Sequence, residues 1–377
     1  MIEFIDLMAQ YRRIKSDIDK NIEAVLKYGK YILGPEVKEL EQKLGEYTGA
    51  KHVITCSNGT DALLMPLMAW GVGRGDAVFT TPFTFIATAE VISLLGAVPV
   101  FVDIDPDTFN IDPNLLESAI KKTISEGNLT PKAIIPVDLF GLPADYDNIL
   151  RIAEKYGLKV LEDAAQSFGS VYKQKRTGSL CDAVATSFFP AKPLGCYGDG
   201  GAIFTGDDHL AEKLFSIRAH GQGNAKYENV RTGINGRLDT LQAAILLVKL
   251  NIFNEELISR KRIASRYILL LKDVLKTPVV PDGLESCWAQ YSVLAKDDGE
   301  REYLRNELKN AGVPTAVYYP VPLHLQKAFS YLGYKKGDFS VSEYVSSRIF
   351  SLPMHPYIEN ETIEKITGVI QSCFSRT

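Results

Sequence analysis

The sequence lacks several features that mark large classes of protein. Its five cysteines are odd in number, widely separated and without a C-x-x-C pair, which argues against a disulfide framework or a zinc knuckle. The five histidines are isolated from one another, so no metal site is predicted. No apolar run approaches the roughly 18 residues of a membrane helix, and the first residues are acidic instead of basic. We therefore expect a soluble, unprocessed cytoplasmic protein with reduced thiols and no membrane partner.

An excess of charge of one sign is also missing. The 377 residues contain 42 Lys and Arg against 46 Asp and Glu, which gives a formal net charge of −4. Such a balance supplies no global field that would attract nucleic acid, and we expect no nucleic-acid partner. An anionic ligand must therefore be bound by a local site.

Motifs of several common enzyme classes are absent as well. The sequence contains no G-x-S-x-G elbow, no Walker A loop and no H-E-x-x-H pair. The glycines of residues 71–75 follow a predicted helix and do not have the G-x-G-x-x-G spacing of a dinucleotide-binding turn. A serine hydrolase, a P-loop enzyme, a zinc protease and a nicotinamide oxidoreductase all lose support.

The chain does contain a regular alternation of secondary structure. Hydrophobic residues make up 46% of it, enough for a sizeable core. In the first two-thirds, β-rich runs alternate with helical stretches, which is typical of a mostly parallel α/β sheet. The predicted strands are 52–56, 77–80, 98–102, 132–137, 158–162, 184–188 and 202–205, and the predicted helices among them are 61–70, 85–95 and 144–156.

The pattern changes near residue 238. Apolar residues at helical spacing predict a long connecting helix that continues toward residue 275. Beyond it, predicted strands at 288–294 and 315–319 mix with predicted helices at 302–311 and 363–373. We expect a large α/β domain over residues 1–250 and a small α+β domain over residues 251–377, with the first 30 or so residues packing against the small one.

A lysine in apolar surroundings follows the strand predicted at 184–188. Lys192 is flanked by two phenylalanines, two prolines and a leucine. Burial among them would lower its pKa and favour the neutral amine, the form that makes Schiff bases. Glycines at 198, 200 and 201 permit close approach of the backbone to a ligand. The competing interpretation is an exposed loop lysine.

An aspartate ends the strand predicted at 158–162. Asp163 would lie at the sheet edge where open α/β folds bind ligands. A buried carboxylate needs a cationic partner, and the protonated ring nitrogen of pyridoxal phosphate is one such partner. The segment alone fits an Asp that caps the next helix equally well.

Three further segments suit a phosphorylated, flat ligand. Gly59 and Thr60 precede a predicted helix whose N-terminal amides attract anions, and Ser187 adds a hydroxyl. Ordinary helix capping explains the same residue types. Phe85 follows another strand end, where it would stack on a flat ring or belong to the core.

The long helix is preceded by a segment with polar and cationic side chains. Asn235 and Arg237 lie at its N-terminal end and suit contacts with an anion. Pairing of Arg237 with Asp239 or another surface acid is the alternative.

Taken together, seven segments resemble the pyridoxal-phosphate sugar aminotransferases of the DegT/DnrJ/StrS family. The resemblance covers nearly the whole chain, and the segments occur in the family's order: 57–60, 83–85, 162–166, 187–192, 198–201, 235–242 and 319–324. It implies the fold type I architecture of the aspartate aminotransferase superfamily. It also implies pyridoxal 5′-phosphate with a pyridoxamine phosphate form, and a homodimer with shared active sites.

The resemblance also implies a role for individual residues. Lys192 would bind the cofactor covalently, and Asp163 would hold its ring nitrogen. Gln166 would contact the 3-hydroxyl side of the cofactor, and Phe85 would stack on its ring. The phosphate contacts would be Gly59, Thr60, Ser187 and, from the neighbouring subunit, Asn235. The family's dehydratase branch carries histidine at the position of Lys192, so transamination is favoured over dehydration.

The implied reaction transfers the amino group of L-glutamate to a 3-oxo nucleotide sugar and releases 2-oxoglutarate. Residues 2–7, 29–36 and 188–205 are most similar to bacterial members that aminate a UDP-linked 3-oxo glucuronate in O-antigen and lipopolysaccharide synthesis. We predict Arg237 as the contact to its carboxylate, with Tyr319 and His324 as further sugar contacts. The alternatives are a dTDP-3-oxo-6-deoxyhexose 3-aminotransferase and a regulatory relative that binds the cofactor without turnover.

Overall fold

The computed structural model describes residues 2–225 and 227–375. Its helices are α1 (Leu7–Tyr28), α2 (Pro35–Thr48), α3 (Gly59–Ala69), α4 (Ala87–Leu94), α5 (Pro113–Glu126), α6 (Tyr146–Tyr156), α7 (Asp208–Ile217), α8 (Thr240–Leu271), α9 (Asp298–Asn310), α10 (Ser340–Ser346) and α11 (Asn360–Phe374). Its strands are β1 (His52–Cys56), β2 (Asp76–Thr80), β3 (Val98–Phe101), β4 (Thr130–Ile134), β5 (Lys159–Asp163), β6 (Val171–Tyr172), β7 (Lys175–Arg176), β8 (Ala183–Ser187), β9 (Gly201–Thr205), β10 (Leu284–Glu285), β11 (Tyr291–Leu294) and β12 (Ile349–Leu352). Short 3-10 helices occupy Leu139–Gly141, Leu323–Leu325 and Lys327–Leu332.

Local sequence explains several helix boundaries. The carboxylate of Asp112 accepts hydrogen bonds from the first backbone amides of α5, and Pro113 follows it at a position where no backbone N–H is needed. Gly127 ends this helix with a φ of 69°, a left-handed conformation that glycine adopts without strain. Asp145 and Gly157 bound α6 in the same way.

A seven-stranded sheet in the order β1-β9-β8-β5-β4-β2-β3 forms the centre of the fold. The five strands from β8 to β3 pair in parallel, and β9 is antiparallel to both of its neighbours. One face packs against α3, α4 and α7, and the other against α2, α5, α6 and the first half of α8. The predicted mostly parallel α/β sheet is therefore confirmed, and its parallel strands end at one common edge.

The C-terminal part is built on a smaller antiparallel pair, β11 and β12. Its core packs α9, α11 and the second half of α8 around these strands. The strand predicted over 315–319 is wrong, because Ala316 alone pairs there, with Ser351. Pro314 and Pro320 bracket this segment and have no backbone N–H to extend a ladder.

The predicted connecting helix is present as α8, which runs without interruption across residue 250. Its first half carries Val248, against which Ile18 of α1 packs, and its second half belongs to the C-terminal core. Before α1, the carbonyl of Phe4 accepts a hydrogen bond from the amide of Met354. The N-terminal residues thus contact both parts of the chain, and the division at residue 250 stays a prediction.

The described residues contain neither a membrane-spanning helix nor a metal-binding cluster. None of the helices within 2–225 and 227–375 has the length and hydropathy to cross a bilayer. The same residues contain no cluster of three or more His, Cys, Asp or Glu side chains placed to hold a metal ion.

Candidate active site

A cavity of about 570 Å³ lies at the carboxyl edge of the parallel strands. The ends of β5 and β8, the start of α3 and the segments before α4 and around residue 319 form its wall. It brings together eight of the predicted site residues: Gly59, Thr60, Phe85, Asp163, Gln166, Ser187, Lys192 and Tyr319.

Lys192 belongs to the loop that joins β8 to β9. Its backbone amide donates to the carbonyl of Phe189 at 2.8 Å, which closes a tight turn. The side chain keeps part of its surface open to the cavity. Burial lowers the pKa of the Lys192 amine, and the nearby carboxylate of Asp163 opposes this shift only in part. A larger share of the amine is therefore neutral and nucleophilic than for a lysine in water.

Asp163 ends β5 with its carboxylate buried in the cavity wall. One oxygen accepts from the hydroxyl of Thr88 at 2.8 Å, and the other accepts from the amide of Ala165 at 3.2 Å. Burial raises the pKa of Asp163, although these hydrogen bonds and the charge of Lys192 act against the rise. A cationic group in the cavity would therefore favour the ionised carboxylate, as expected for a site that binds such a group. Residues 165–169 form turns, so no helix directly follows Asp163 for it to cap.

The N-terminus of α3 meets the end of β8 at the cavity wall. The side chain of Asn58 accepts from the amide of Asp61 at 2.8 Å and caps the helix. A Cβ atom on Gly59 would lie 2.6 Å from the Cβ of Ser187 and 3.0 Å from its hydroxyl oxygen. Glycine is thus required for this close approach, which places the Ser187 hydroxyl beside the first amides of a helix, a seat suited to phosphate.

Gln166 and two aromatic residues complete the wall. The Gln166 carbonyl oxygen accepts from the amide of Phe140 at 2.8 Å, so its NH₂ group points to the hydroxyl of Tyr319 at 3.2 Å. The ring centroid of Phe85 lies 6.5 Å from that of Tyr319. Phe85 is 56% exposed and is not a core residue. Its apolar ring is available to pack on a flat ligand.

Three predicted site residues do not line the cavity of this chain. Asn235 is exposed and Arg237 is half-buried, and both lie on the segment before α8. The Arg237 Nε donates to the side-chain Oδ1 of Asn235 at 2.8 Å. His324 is buried, and its Nε2 lies 3.0 Å from a carboxylate oxygen of Glu343. Its ring also packs against Phe339, with the centroids 4.7 Å apart. The structure therefore does not bring His324 to the position predicted for a sugar contact.

The cavity also contains residues that the sequence did not identify. They include Phe4, Ile5, Asn58, Thr88, Phe189, Asp199, Gln290 and Tyr318. Thr88 has a local signal, because it stands one helical turn after Phe85 and so faces the same edge. Phe4 and Gln290 have no such signal, since they reach the cavity from distant parts of the chain.

A second pair of carboxyl groups lies behind the cavity. Side chains alternate along β5, so Glu162 faces away from Asp163 and toward Asp138. Asp138 accepts hydrogen bonds from Tyr146 at 2.6 Å and from Ser167 at 2.8 Å. Neither carboxylate oxygen of Glu162 accepts a hydrogen bond from a described donor, and the carboxyl groups of Glu162 and Asp138 lie within hydrogen-bond reach of each other. Burial first, and then the charge of Asp138, raise the pKa of Glu162 well above its ordinary value.

This raised pKa predicts a pH-dependent effect of Glu162→Gln on stability. The folded protein retains a proton on Glu162 that the unfolded chain loses above its ordinary pKa of 4.5. The wild type should therefore lose about 1.4 kcal/mol of unfolding free energy per pH unit above that value, until the folded group also ionises. Glutamine carries no such proton, so the variant should gain stability relative to wild type as pH rises.

Urea unfolding at pH 5 and pH 8 measures this effect. Glu154→Gln, at an exposed position of α6, is the matched control and should show the same difference from wild type at both pH values. A Glu162→Gln variant with an equal stability difference at both pH values would show that Glu162 is not protonated in the fold.

The fold and the cavity are those of an α/β enzyme whose ligand site lies at the carboxyl edge of its parallel strands. Residues 12–371 match the model of the DegT/DnrJ/EryC1/StrS aminotransferase family. The chain belongs to this family, and the family resemblance in the sequence is confirmed.

Individual relatives agree with this assignment. Over 373 residues the chain is 53% identical to UDP-2-acetamido-2-deoxy-3-oxo-D-glucuronate aminotransferase of Pseudomonas aeruginosa, covering 98% of this chain and 99% of that protein. The crystal structure of a DegT DnrJ EryC1 StrS aminotransferase from Brucella abortus superposes with a TM-score of 0.96 at 54% identity, covering 99% of both chains. NtdA of Bacillus subtilis, solved with bound cofactor PMP, has a TM-score of 0.87 at 32% identity and covers 98% of this chain and 83% of its own.

Proposed function

We propose that this protein transfers the amino group of L-glutamate to carbon 3 of UDP-2-acetamido-2-deoxy-3-oxo-D-glucuronate, with pyridoxal phosphate as cofactor. The observation that carries the proposal is the placement of Lys192 and Asp163 on the wall of one cavity. The similarity to the P. aeruginosa aminotransferase supports the same substrate. We place the reaction in the cytoplasm, in the synthesis of O-antigen and lipopolysaccharide sugars.

The cavity residues fit the cofactor. Among the described residues, Lys192 is the cation whose charge acts on the buried carboxylate of Asp163. This carboxylate would hold the protonated ring nitrogen of the cofactor. Thr60, Ser187 and the close approach at Gly59 suit the phosphate, and the exposed ring of Phe85 suits the pyridine face. When bound, pyridoxal phosphate supplies an electron sink and stores the amino group between two half-reactions.

The protein's own groups then move the protons. Burial lowers the pKa of the Lys192 amine and favours its neutral form, so this amine can act as the base that removes the proton from the α-carbon of glutamate. In the second half-reaction the same group delivers a proton to carbon 3 of the sugar. Asp163 keeps the proton on the ring nitrogen throughout, because its buried carboxylate is stabilised by that positive charge.

The phosphate site proposed at Gly59 and Ser187 predicts the effect of Gly59→Ala on cofactor affinity. The added Cβ would force the N-terminus of α3 away from Ser187, and overpacking of this kind costs 1–3 kcal/mol, so cofactor affinity should fall about 10- to 100-fold. Titration of the apoprotein with pyridoxal phosphate measures the affinity. Gly206→Ala is the matched control, because a Cβ there meets no atom within 4 Å. Equal affinity of the two variants would remove Gly59 from the phosphate site.

The anionic sugar nucleotide requires positive charge from outside this cavity. Lys192 is the one cationic side chain among the described lining residues, which also include Asp163 and Asp199. A diphosphate and a uronate carboxylate need more positive charge than this. We therefore propose a homodimer in which the partner copy brings Asn235 to the cofactor phosphate and Arg237 to the uronate.

Arg237→Ala tests the carboxylate contact. Loss of a hydrogen bond to a charged group costs about 1.5–3 kcal/mol, so KM for the UDP-uronate should rise about 10- to 100-fold, with little change for a matched neutral UDP-hexose. Arg151→Ala, at an exposed position of α6, is the control. Equal weakening of both sugars by Arg237→Ala would show that Arg237 does not read the carboxylate.

One experiment tests the function as a whole. Glutamate-loaded enzyme is incubated with UDP- and dTDP-linked 3-oxo and 4-oxo sugars, and the aminated product is identified by mass spectrometry and NMR. The proposal expects amination of the UDP-linked 3-oxo uronate at carbon 3. Preference for a dTDP-linked 6-deoxyhexose would favour a dTDP-3-oxo-6-deoxyhexose 3-aminotransferase. Cofactor binding without reaction with glutamate would favour a regulatory relative.

A further inference from the structure

The ammonium group of Lys249 lies inside the protein, on the face of α8 that covers the loop of Lys192. Lys249 is 1% exposed. Its Nζ donates to the carbonyl of Gly195 at 2.6 Å and lies 4.1 Å from the ring centroid of Tyr197. Both partners belong to the loop between β8 and β9, three and five residues after Lys192.

This burial is energetically unfavourable. Glu256 and the Cys196 thiol are the titratable groups that raise the pKa of Lys249, and Tyr197 faces the ammonium with its ring. The carboxylate of Glu256 is already engaged by Gln10 and Tyr357. Burial outweighs these attractions and lowers the pKa of Lys249 to about 8. An apolar side chain of similar size would occupy this position without the cost of desolvation.

Gln242 contacts the same loop from the same face of α8. It stands seven residues, or two helical turns, before Lys249. Its side-chain oxygen accepts from the amide of Tyr197 at 2.9 Å, and its NH₂ group donates to the Tyr197 carbonyl at 3.4 Å. The helix thus holds the peptide units of Gly195 and Tyr197 together.

The loop is also closed at its base. The amide and the thiol of Cys196 both reach the carbonyl of Phe188, at 2.8 and 3.0 Å. Gly195 allows a tight return, because a Cβ there would lie 2.6 Å from the carbonyl oxygens of Phe189 and Pro190. Residues 188–197 therefore form a loop that carries Lys192 and is closed by hydrogen bonds at its base. Lys249 binds this loop at the carbonyl of Gly195.

We propose that Lys249 is a positioning residue for Lys192, whose ammonium group fixes the Gly195 carbonyl and so keeps the Lys192 amine beside Asp163 in the cavity. Lys249 itself does not line that cavity. The inference rests on the function proposed above, because it assigns Lys249 to the placement of the reacting amine.

The two interpretations of Lys249 predict opposite effects on stability and rate. If Lys249 is a positioning residue that is buried at a cost to folding, the Lys249→Met protein should be at least as stable as wild type but should react more slowly. A lysine with only a structural role should give a protein that unfolds more easily and, while folded, reacts at the normal rate.

The experiment compares wild type with Lys249→Met and Lys261→Met. Lys261 is an exposed lysine of the same helix, paired with Glu285, and serves as the matched control. Thermal unfolding of each apoprotein is measured first. The rate of pyridoxal phosphate uptake by the apoprotein and the single-turnover rate with saturating L-glutamate follow, both from the visible absorbance.

We expect Lys249→Met to unfold at the same or a higher temperature than wild type. Both rates should fall at least about tenfold, because a small displacement of a reacting group lowers a rate by up to about 10²-fold. The Kd for glutamate should change by less than about twofold. Lys261→Met should match wild type throughout.

Unchanged rates in Lys249→Met would overturn the proposal, and so would slower rates accompanied by a lower unfolding temperature. If Lys249→Met does not fold, Gln242→Ala removes the Tyr197 contacts and must show the same slowing for the proposal to stand. Failure of the wild type to react with glutamate would instead refute the proposed function, and the cofactor-uptake comparison would still test Lys249.

Discussion

Lys192→Ala is expected to lower the rate of amino transfer from L-glutamate by at least about 10²–10⁴-fold, the usual contribution of a general acid–base group, and to abolish covalent attachment of the cofactor. The described cavity wall offers no second amine to replace it. Lys249 cannot substitute, because its Nζ is buried and bonded to the Gly195 carbonyl. The measurement is the visible absorbance of the bound cofactor and its change on addition of L-glutamate.

Two controls separate chemistry from folding in this experiment. Lys336→Ala, at an exposed position, should behave as wild type. Small primary amines added to Lys192→Ala should restore part of the rate, since they supply the missing base in a cavity that is otherwise intact. Full turnover by Lys192→Ala without added amine would contradict the assignment of Lys192.

Asp163→Asn is expected to produce the second largest effect. It removes the negative partner of the cofactor ring nitrogen from a buried site, and breaking a buried charge pair costs about 3–5 kcal/mol, which corresponds to a rate loss of about 10²–10³-fold. Asparagine is close in size to aspartate and can still accept from the amide of Ala165. Because burial raises the pKa of Asp163, the apoprotein of the variant should be no less stable than that of the wild type.

The matched control for Asp163→Asn is Glu162→Gln at the preceding residue. It makes the same chemical change in a side chain that faces Asp138 instead of the cavity. Single-turnover rates with L-glutamate should fall in Asp163→Asn and stay near wild type in Glu162→Gln. A similar loss in both variants would indicate disturbance of β5 and would argue against a direct role for the Asp163 carboxylate.

The ends of β5 and β8 in the large sheet could be predicted from the sequence. Asp163 and Ser187 close apolar runs that become β5 and β8, with bounds within one residue of those predicted. Period and composition are local properties of the chain, so they report buried strands reliably. The strand predicted over 315–319 is wrong because Pro314 and Pro320 limit the ladder to the pair of Ala316 with Ser351, and a partner more than thirty residues away is not reported by local composition.

The composition of the cavity could be predicted only in part. Asp163 ends a strand, Lys192 and Gly59 follow strands, and the common edge of the sheet brings the three residues together. The sequence predicts His324 as a sugar contact, yet its imidazole lies against Glu343 and Phe339 inside the fold and does not line the cavity. The direction of a side chain in an irregular segment depends on packing that the motif does not contain.

The sequence by itself determined the α/β alternation and the lysine and aspartate at two strand ends, because each rests on residues that are close along the chain. It also determined the family, through seven short segments that occur in a fixed order. The tertiary structure alone decided that Phe4 and Gln290 reach the wall of the cavity and that Lys249 of α8 contacts the loop of Lys192. Those contacts join segments far apart in sequence, and they depend on how helices and loops pack over the sheet edge.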